Sequence, residues 1–498
     1  MKLMGIDVGT GSTRALIIDE KGTVTGSATA DHEAFASPKT SWAEQDANDW
    51  WRAAREAIRL ALKEADVRPD EIKCIGLTGQ MHGAVLLDER DSPLRPSIIW
   101  CDQRTGDECS EITEKIGARR LIELTCNPAV TGFTLPKLLW VRKREPDLWR
   151  KTRTVLLPKD FVRLRLTGEK ATDVADASGT LLFDVRNRRW SIEMLAQMEI
   201  DERMLPAVFE SAEVSGRVSK EGARETGLAE GTPVVAGAGD QAAGAVGMGI
   251  IRAGAVSATI GTSGVVFAAT DRPALDPLGR VHTFCHAVRD RWHVMGVTQA
   301  AGLSLRWFRD RFGAGSDDER DPYERLCEEA EKAPAGADGV LWTPYLMGER
   351  TPHLDPDARA ALVGLAATHT RSHIIRAILE GVAFSLRDTF EIFHEMDVPV
   401  AAVRLGGGGA RSRLWRQIQA DVYGREVETI EAEEGAAFGA ALLAGVGAER
   451  WSSVEAATDE VVRAAERIEP DPENAALMNR QYEKFRAVYP ALRALHIA

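Results

Sequence analysis

Residues 234–246 read ValValAlaGlyAlaGlyAspGlnAlaAlaGlyAlaVal. The segment begins as a short apolar run, typical of a buried strand, and the run is broken at Gly237 and Gly239. A single carboxylate, Asp240, follows, and then a run of alanine and glycine. Because such small residues leave room for a ligand beside the backbone, we interpret Asp240 as a candidate catalytic base.

The composition is that of an ordinary globular protein. The chain has 498 residues, which favours two or three domains over a single core. Its formal net charge of −13 disfavours a nucleic-acid or anionic-membrane surface. We therefore expect a small-molecule substrate, with neither nucleic acid nor a membrane as a partner. An anionic substrate would then need local positive groups or a metal ion.

Cysteine usage and the N-terminal segment predict a cytoplasmic protein with reduced thiols. The six cysteines form no CxxC pair and are too few for a disulfide scaffold in so long a chain. The first residues reach Asp7 before a signal-like apolar core can form. No apolar run in the sequence reaches the length that a membrane-spanning helix needs.

Three turns rich in glycine, threonine and serine follow predicted strands. The first, at residues 9–14, joins strands predicted at 3–8 and 15–19. The other two are GlyThrSerGly at 261–264 and a glycine-rich turn at 406–412 that precedes a helix. Backbone N–H groups in such turns can bind phosphate, so the set fits an ATP cleft divided between two domains. For the first turn alone, a plain β-hairpin is at least as good an interpretation.

Other nucleotide motifs fit less well. The P-loop is absent, since no Gly–Lys pair occurs in the sequence. Residues 237–242 loosely match the GxGxxG/A dinucleotide fingerprint, but no acidic residue follows about 20 positions later. The turn at 261–264 repeats the pattern of the first turn, with an Asp closing the second strand in both. This self-similarity suggests two domains built on one plan by duplication.

Polar residues at one predicted strand end are candidates for substrate contact. Residues 79–83 read GlyGlnMetHisGly and follow an apolar strand pattern. Met81 and His82 lie between two glycines at the kind of loop where binding residues concentrate. A lone histidine is often structural, and a structural role for His82 is the alternative. The flanking glycines modestly favour substrate contact over that role.

Several helices are predicted from their periodicity. One follows a cap at Asn48 and runs to about Ala65, with Trp51 on its apolar face. Another spans 372–394 and contains Gly381, which indicates close approach by another backbone. Residues 434–447 are predicted to form a tightly packed helix of small residues, and 315–333 a charged surface helix and loop. Residues 117–230 carry little functional signal.

Eight segments share their pattern with one family of enzymes. They are GlyIleAspValGlyThrGlySer at 5–12, TrpAlaGluGlnAspAlaAsnAspTrpTrp at 42–51, GlyGlnMetHisGlyAlaValLeuLeuAsp at 79–88, LeuArgProSerIleIleTrpCysAspGlnArgThr at 94–105, GlyAspGlnAlaAlaGlyAlaValGly at 239–247, IleGlyThrSerGlyVal at 260–265, TyrLeuMetGlyGluArgThrProHis at 345–353 and GlyGlyGlyAlaArgSer at 407–412. Together they resemble the FGGY carbohydrate kinases over nearly the whole chain.

The resemblance implies an α/β fold of two actin-like (ribonuclease H-like) domains with an inter-domain active-site cleft. Residues 1–238 would bind the sugar, and residues 239–498 would bind ATP. The implied activity is phosphoryl transfer from ATP, with Mg²⁺, to the C5 hydroxyl of D-xylulose. The alternatives are another FGGY substrate, such as ribulose, gluconate or glycerol, and a non-catalytic actin-like sensor. A homodimer is also among the expectations.

The resemblance also assigns roles to residues. Asp240 matches the catalytic base, and Asp7 matches the acid near Mg²⁺ and the transferred phosphate. Met81, His82 and Gln241 fall at sugar-side positions. The positions that match nucleotide-binding turns are Thr10, Gly11, Gly261, Thr262, Ser263, Gly408, Gly409 and Ser412. Gln241 stands where asparagine is common, which bears on the identity of the sugar. Glu349 and Arg350 receive no firm role.

Overall fold

A computed structural model describes residues 1–313, 320–431 and 435–495. Within this part of the chain the fold is α/β, with two seven-stranded mixed sheets and several two-stranded ones. The first residue of the helix predicted at 434–447 and residues 315–319 of the predicted charged region lie outside the described residues.

Helices and strands alternate along parts of the chain, and their bounds are as follows. The helices are α1 (Ala47–Glu64), α2 (Gly106–Ile116), α3 (Ala118–Thr125), α4 (Thr134–Arg144), α5 (Pro146–Lys151), α6 (Pro158–Thr167), α7 (Val174–Ala177), α8 (Ile192–Met198), α9 (Lys220–Thr226), α10 (Asp240–Gly247), α11 (Ala301–Phe312), α12 (Pro322–Ala330), α13 (Arg371–Glu395), α14 (Arg413–Tyr423), α15 (Gly435–Gly447), α16 (Val454–Val461) and α17 (Pro472–Leu492). The strands are β1 (Lys2–Val8), β2 (Ser12–Asp19), β3 (Val24–Asp31), β4 (Glu44–Gln45), β5 (Ile72–Gly79), β6 (Val85–Leu87), β7 (Ser97–Ile98), β8 (Thr154–Leu156), β9 (Ala171–Asp173), β10 (Phe183–Asp184), β11 (Arg189–Trp190), β12 (Ala207–Phe209), β13 (Val214–Arg217), β14 (Pro233–Val235), β15 (Ala238–Gly239), β16 (Gly254–Ile260), β17 (Gly264–Thr270), β18 (His282–Cys285), β19 (Trp292–Thr298), β20 (Leu341–Thr343), β21 (Ala361–Val363), β22 (Val400–Gly407), β23 (Val427–Ile430) and β24 (Ala464–Ile468).

The two large sheets share one pairing plan. In the first, β1, β2 and β3 form an antiparallel meander and β5 pairs parallel to β1. In the second, β16, β17 and β19 form the meander and β22 pairs parallel to β16. This correspondence confirms the common plan predicted from the two similar turns, while duplication as its origin stays a prediction. The apolar runs of the central strands are buried, as continuous hydrophobic patterns predict.

Helix α1 covers the first sheet as its periodicity predicts, but its cap is different. Trp51 and the apolar residues that follow it at helical spacing are buried. The N-cap is Asp46, whose side chain accepts a hydrogen bond from the backbone N–H of Asn48 at 2.9 Å. The prediction of Asn48 as the cap was therefore wrong. Both residue types cap helices well, and the extended backbone at Asp46 places the helix start two residues earlier.

Close backbone contact explains the glycine in α13. A methyl group added to Gly381 would lie 2.1 Å from the carbonyl oxygen of Trp342 on β20. No side chain fits at that distance, so the predicted close approach is confirmed.

Helix α15 packs at the junction of the two halves, although it comes late in the sequence. Methyl groups added to Gly5 on β1 and Gly76 on β5 would lie 1.8 and 2.0 Å from carbonyl oxygens of α15. A methyl group on Gly439 of α15 would lie 1.8 Å from the carbonyl oxygen of Ala243 on α10. The tight packing predicted for the small-residue helix is thereby confirmed. It fixes α10, which begins with Asp240, against the first sheet.

The cysteines are unpaired thiols, as their spacing predicts. All six are free, and Cys74, Cys126, Cys285 and Cys327 are buried. Burial raises the pKa of the Cys74 thiol to about 12, so it stays protonated at neutral pH. None of the helices in the described ranges is long and apolar enough to cross a membrane.

Candidate active site

Asp240 is placed by a tight connection between the first sheet and α10. Gly237 adopts φ +72°, and a methyl group there would lie 1.7 Å from the carbonyl oxygen of Leu77 on β5. Ala238 and Gly239 then pair with Thr78 and Gly79 at the end of β5. Helix α10 begins at the next residue, so the Asp240 carboxylate lies at the carboxyl end of a central strand and in the first turn of a helix.

The surroundings of Asp240 suit it to accept a proton. The residue is half-buried, and Gln241 Nε2 donates a hydrogen bond to its Oδ1 at 3.4 Å. Burial, with the nearby negative charge of Asp7, raises the pKa of Asp240 to about 7, against the lowering effect of Gln241. A carboxylate with a pKa near neutrality is well matched to general-base chemistry.

Asp7 lies near the end of β1, opposite Arg14 on β2 and Thr78 on β5. Burial raises its pKa to about 6, and the positive charge of Arg14 opposes this effect. Its Oδ1 atom is shielded from solvent and has no hydrogen-bond partner among the residues that the structure describes. A buried carboxylate oxygen of this kind is suited to a cation or to a water molecule bound to one.

Met81 and His82 follow the end of β5, where Gly239 pairs with Gly79. A methyl group on Gly239 would lie 2.7 Å from Met81 Cγ, so Met81 packs against the residue before the carboxylate. His82 adopts φ +69°, and its ring stacks on Phe133 with centroids 4.7 Å apart. Its Nδ1 is 2.9 Å from the carbonyl oxygen of Gly179. Met81 therefore packs against the residue before Asp240, and His82 follows it in the same loop, while contact of either residue with a sugar stays a prediction.

The hydrogen bond of His82 determines what its ring offers. A carbonyl oxygen only accepts, so Nδ1 carries the proton and donates to Gly179, which leaves Nε2 as an acceptor. Burial and the positive charges of Lys137 and Arg350 lower the pKa of His82 to about 3, so the ring stays neutral. A neutral imidazole acceptor can receive a hydrogen bond from a sugar hydroxyl.

The first turn is held by side chains that sequence reasoning missed. Gln45 Nε2 donates to the carbonyl oxygen of Thr10 at 2.7 Å, and Gln80 Nε2 donates to Gln45 Oε1 at 2.9 Å. Trp100 Nε1 donates to the Thr10 hydroxyl at 2.9 Å. Gly11 is exposed, with open space around its α-carbon. All three side chains belong to segments quoted for the family resemblance, namely those that contain Gln45, Gln80 and Trp100. Their place in those segments is the signal from which the sequence could have identified them.

Five of the eight predicted nucleotide-binding residues line one cavity of about 330 Å³ in the second half. They are Gly261, Thr262, Gly408, Gly409 and Ser412. Arg306 and Tyr323, which sequence reasoning missed, line the same cavity. Thr10 and Gly11 lie instead in the turn between β1 and β2 of the first sheet. Ser263 does not line the cavity, and its carbonyl oxygen accepts a hydrogen bond from Gly261 N at 3.0 Å.

Local packing explains the glycines and the serine of the last turn. Gly407 adopts φ +71°, and a methyl group there would lie 2.5 Å from the carbonyl oxygen of Ile260. Around Gly408 the nearest atom to such a methyl is 3.7 Å away. The Ser412 hydroxyl accepts from Trp415 N at 3.3 Å and so caps α14. This helix start presents backbone N–H groups at the cavity, a favourable arrangement for phosphate.

A buried ionic cluster, also missed, supports the strand before Asp240. Lys159 Nζ lies 2.6 Å from Asp160 and 2.7 Å from Asp173, and all three are fully buried. Arg163 Nη1 donates to the carbonyl oxygen of Val235 at 2.9 Å. This ties α6, in the region that carried little functional signal, to the segment leading to Asp240.

Two family models match the chain. The N-terminal domain of the FGGY family of carbohydrate kinases matches residues 2–247, and the C-terminal domain matches residues 256–448. The chain belongs to the FGGY family of carbohydrate kinases. The predicted resemblance is confirmed, and with it the α/β fold of two actin-like, ribonuclease H-like domains.

Individual FGGY kinases resemble the chain over its full length. A xylulose kinase of Bacillus subtilis (strain 168) is 38% identical over 496 residues, which is 100% of this chain and 98% of that protein. The crystal structure of a xylulose kinase from Rhodospirillum rubrum has a TM-score of 0.90 and 31% identity, with 100% of each chain covered. That of a gluconate kinase from Lactobacillus acidophilus has a TM-score of 0.91 and 25% identity, covering 99% of this chain and 98% of that one.

Proposed function

We propose that this FGGY kinase transfers the γ-phosphoryl group of ATP to the C5 hydroxyl of D-xylulose. The observation that carries the proposal is Asp240, a half-buried carboxylate with a pKa of about 7 beside the sugar-side loop of Met81 and His82. The full-length similarity to xylulose kinases supports D-xylulose as the sugar.

Asp240 acts as the general base in this proposal. Its carboxylate accepts the proton of the C5 hydroxyl as the oxygen attacks the γ-phosphorus, and the bond from that phosphorus to the bridging oxygen of ADP breaks. A well-placed base of this kind contributes typically about 10²–10⁴-fold in rate. His82 Nε2 and Gln241 hold the sugar so that the hydroxyl points at the carboxylate.

The nucleotide binds in the cavity of the second half. Thr262, Gly408 and Gly409 offer backbone N–H groups to the phosphates, and Thr10 and Gly11 approach them from the first sheet. Gly261 lies beside the phosphates in the same turn, with its own N–H bonded to Ser263. Ser263 and Ser412 belong to the same two turns. The hydroxyl of Ser412 is used as a helix cap, so we assign its contribution to the turn rather than to direct contact.

Mg²⁺ is the proposed metal ion, and Asp7 the residue that would hold it. Mg²⁺ commonly binds one or two carboxylates and completes its shell with phosphates and water. The unpartnered Oδ1 of Asp7 fits that donor set. No group of three or more metal-binding side chains clusters in residues 1–313, 320–431 and 435–495, so a site completed by ATP is the better fit. When bound, the ion neutralises phosphate charge.

Three earlier expectations remain part of the proposal. We propose that the boundary between a sugar-binding and an ATP-binding domain lies between residues 238 and 239. We also propose that the protein is a homodimer and that it is located in the cytoplasm. Limited proteolysis and light scattering would test the first two. Another FGGY substrate is the main alternative, because the gluconate kinase shares the fold and Gln241 alters the reach of one sugar-side amide.

Sugar-dependent ADP release from Mg·ATP tests the proposal. We expect strong stimulation by D-xylulose and weak stimulation by D-ribulose, L-ribulose, D-gluconate and glycerol. Stimulation by one of the others alone would move the chain to another branch of the family. ATP hydrolysis that no sugar stimulates would favour a non-catalytic sensor and contradict the assigned role of Asp240.

A further inference from the structure

Arg350 extends from the second half of the molecule to the first. It lies in the loop after β20, which is anchored to β19 where Thr351 N donates to the carbonyl oxygen of Val297 at 3.0 Å. From there its side chain reaches Gly132, where an added methyl group would lie 3.8 Å from Arg350 Nη2. Arg350 therefore spans the cleft.

The guanidinium group lies on the sugar side of the cleft. Gly132 precedes Phe133, the ring on which His82 stacks, and His282 lies 5.3 Å from the same ring. The positive charge of Arg350 helps to lower the pKa of both histidines. A series of contacts therefore leads from Gly239, the residue before Asp240, through Met81, His82 and Phe133 to Gly132 and Arg350, which places Arg350 on the His82 side of the site.

The hydrogen-bond donors of Arg350 are available to a ligand. Within the described ranges, its guanidinium group has no ion pair and no hydrogen bond to a protein atom. The adjacent Glu349 is buried, and its Oε1 accepts from the backbone N–H groups of Gln299 and Arg350 at 2.9 and 2.7 Å. Burial raises the pKa of Glu349 to about 8, against the lowering effects of these two hydrogen bonds and of Arg350.

We infer that Arg350 is a specificity residue that donates hydrogen bonds to the oxygen atoms on C1 and C2 of the ketose. This inference rests on the proposed function, since it concerns the same sugar. A guanidinium group donates and never accepts, and a ketone oxygen accepts and never donates. A hydroxyl oxygen also accepts, but the C2 hydroxyl of a polyol brings a proton that Arg350 cannot accept, so the pairing favours a ketose over a polyol of the same length. Glu349 is a positioning residue that acts through the Arg350 backbone.

The test is a double-mutant cycle between the protein and the sugar. We compare wild type and Arg350→Gln on D-xylulose, on 1-deoxy-D-xylulose, which lacks the C1 oxygen, and on xylitol, which lacks the ketone. A charged hydrogen bond predicts that Arg350→Gln lowers kcat/KM for D-xylulose about ten- to a hundredfold. In Arg350→Gln, the kcat/KM for at least one of the two analogues should lie within about threefold of the kcat/KM for D-xylulose. The inference would be overturned if, for both analogues, removing the sugar oxygen lowers kcat/KM by the same factor in Arg350→Gln as in the wild type.

Matched variants separate sugar contact from a structural effect. Arg411→Gln makes the same change in a residue that lines the nucleotide cavity, and it should raise the KM for ATP without any coupling to the sugar. If Arg350→Gln does not fold, Arg350→Lys, which keeps the charge but not the fork, takes its place in the cycle with a smaller loss expected. Glu349→Ala should reproduce the Arg350→Gln coupling pattern, and Glu349→Gln, which keeps the acceptor oxygen, should restore wild-type behaviour.

The outcomes also separate this inference from the proposed function. If the wild type does not phosphorylate D-xylulose, the proposed function fails. If the wild type is active but Arg350→Gln keeps the wild-type kcat/KM on all three sugars, only the role of Arg350 fails.

Discussion

Replacing Asp240 with asparagine should separate catalysis from stability. The amide keeps the shape of the side chain but cannot accept the proton, so kcat should fall about 10²–10⁴-fold, or about 3–5 kcal/mol in the barrier. Gln241 and the small residues around position 240 should still accept the substituted side chain. Binding of D-xylulose and ATP should therefore be close to that of the wild type.

The same substitution should make the protein more stable at alkaline pH. The folded pKa of Asp240 is about 7 against an ordinary value of 3.8, so the folded protein holds a proton that the unfolded chain releases. Stability contributed by the neutral form is lost as the pH rises from about 4 through about 7. The pKa difference corresponds to a loss of folding stability of at most about 4 kcal/mol. This is an upper bound because Asp240 is partly exposed and solvent screens its charge.

Thermal unfolding and turnover at two pH values provide the assay. At pH 8 Asp240→Asn should have a higher Tm than the wild type, and at pH 4 the two should agree. Asp357→Asn, which changes an exposed aspartate, should alter neither turnover nor the pH dependence of Tm. A kcat for Asp240→Asn within about threefold of the wild type would refute the assignment of the base. An equal Tm at pH 8 would refute the electrostatic account of its pKa.

Three other predictions concern the same site. The wild-type kcat/KM should rise with pH through about 7 and then level off, because Asp240 must lose its proton, and a profile flat from pH 5 to 9 would contradict this. His82→Ala should raise the KM for the sugar about tenfold with the KM for ATP unchanged, since one acceptor is lost; steady-state kinetics with either substrate varied decide this. Gly408→Ala has space for its methyl group within the fold, so it should keep the wild-type Tm but raise the KM for ATP; an unchanged KM would place the phosphates elsewhere.

Local sequence pattern was enough to predict the strands and turns of the site. The apolar runs before Gly9 and Gly261 are largely buried strands, and the run before Gly406 is a strand with Val403 and Leu405 buried. The small residues of α15 do pack at backbone distance. The cap of α1 was misplaced because Asp46 and Asn48 cap equally well in isolation. The choice between them depends on where the preceding backbone is extended, which no local pattern encodes.

Long-range contacts were beyond the reach of the sequence. The hydrogen bonds of Gln45 and Trp100 to Thr10 join residues 35 and 90 positions apart. The burial of Lys159 with its aspartates depends on tertiary packing, because a charged residue on a helix pattern is more often exposed. Arg350 could be read as part of a motif, but only the fold brings its side chain across to Gly132.

The most direct test of the central claim is to identify the product by ³¹P NMR after incubation of the wild type and Asp240→Asn with D-xylulose and Mg·ATP. We expect a phosphate monoester on C5 of the sugar and stoichiometric ADP from the wild type, and almost no ester from the variant. Inorganic phosphate in place of a sugar ester, or the same rate of ester formation by Asp240→Asn, would contradict it.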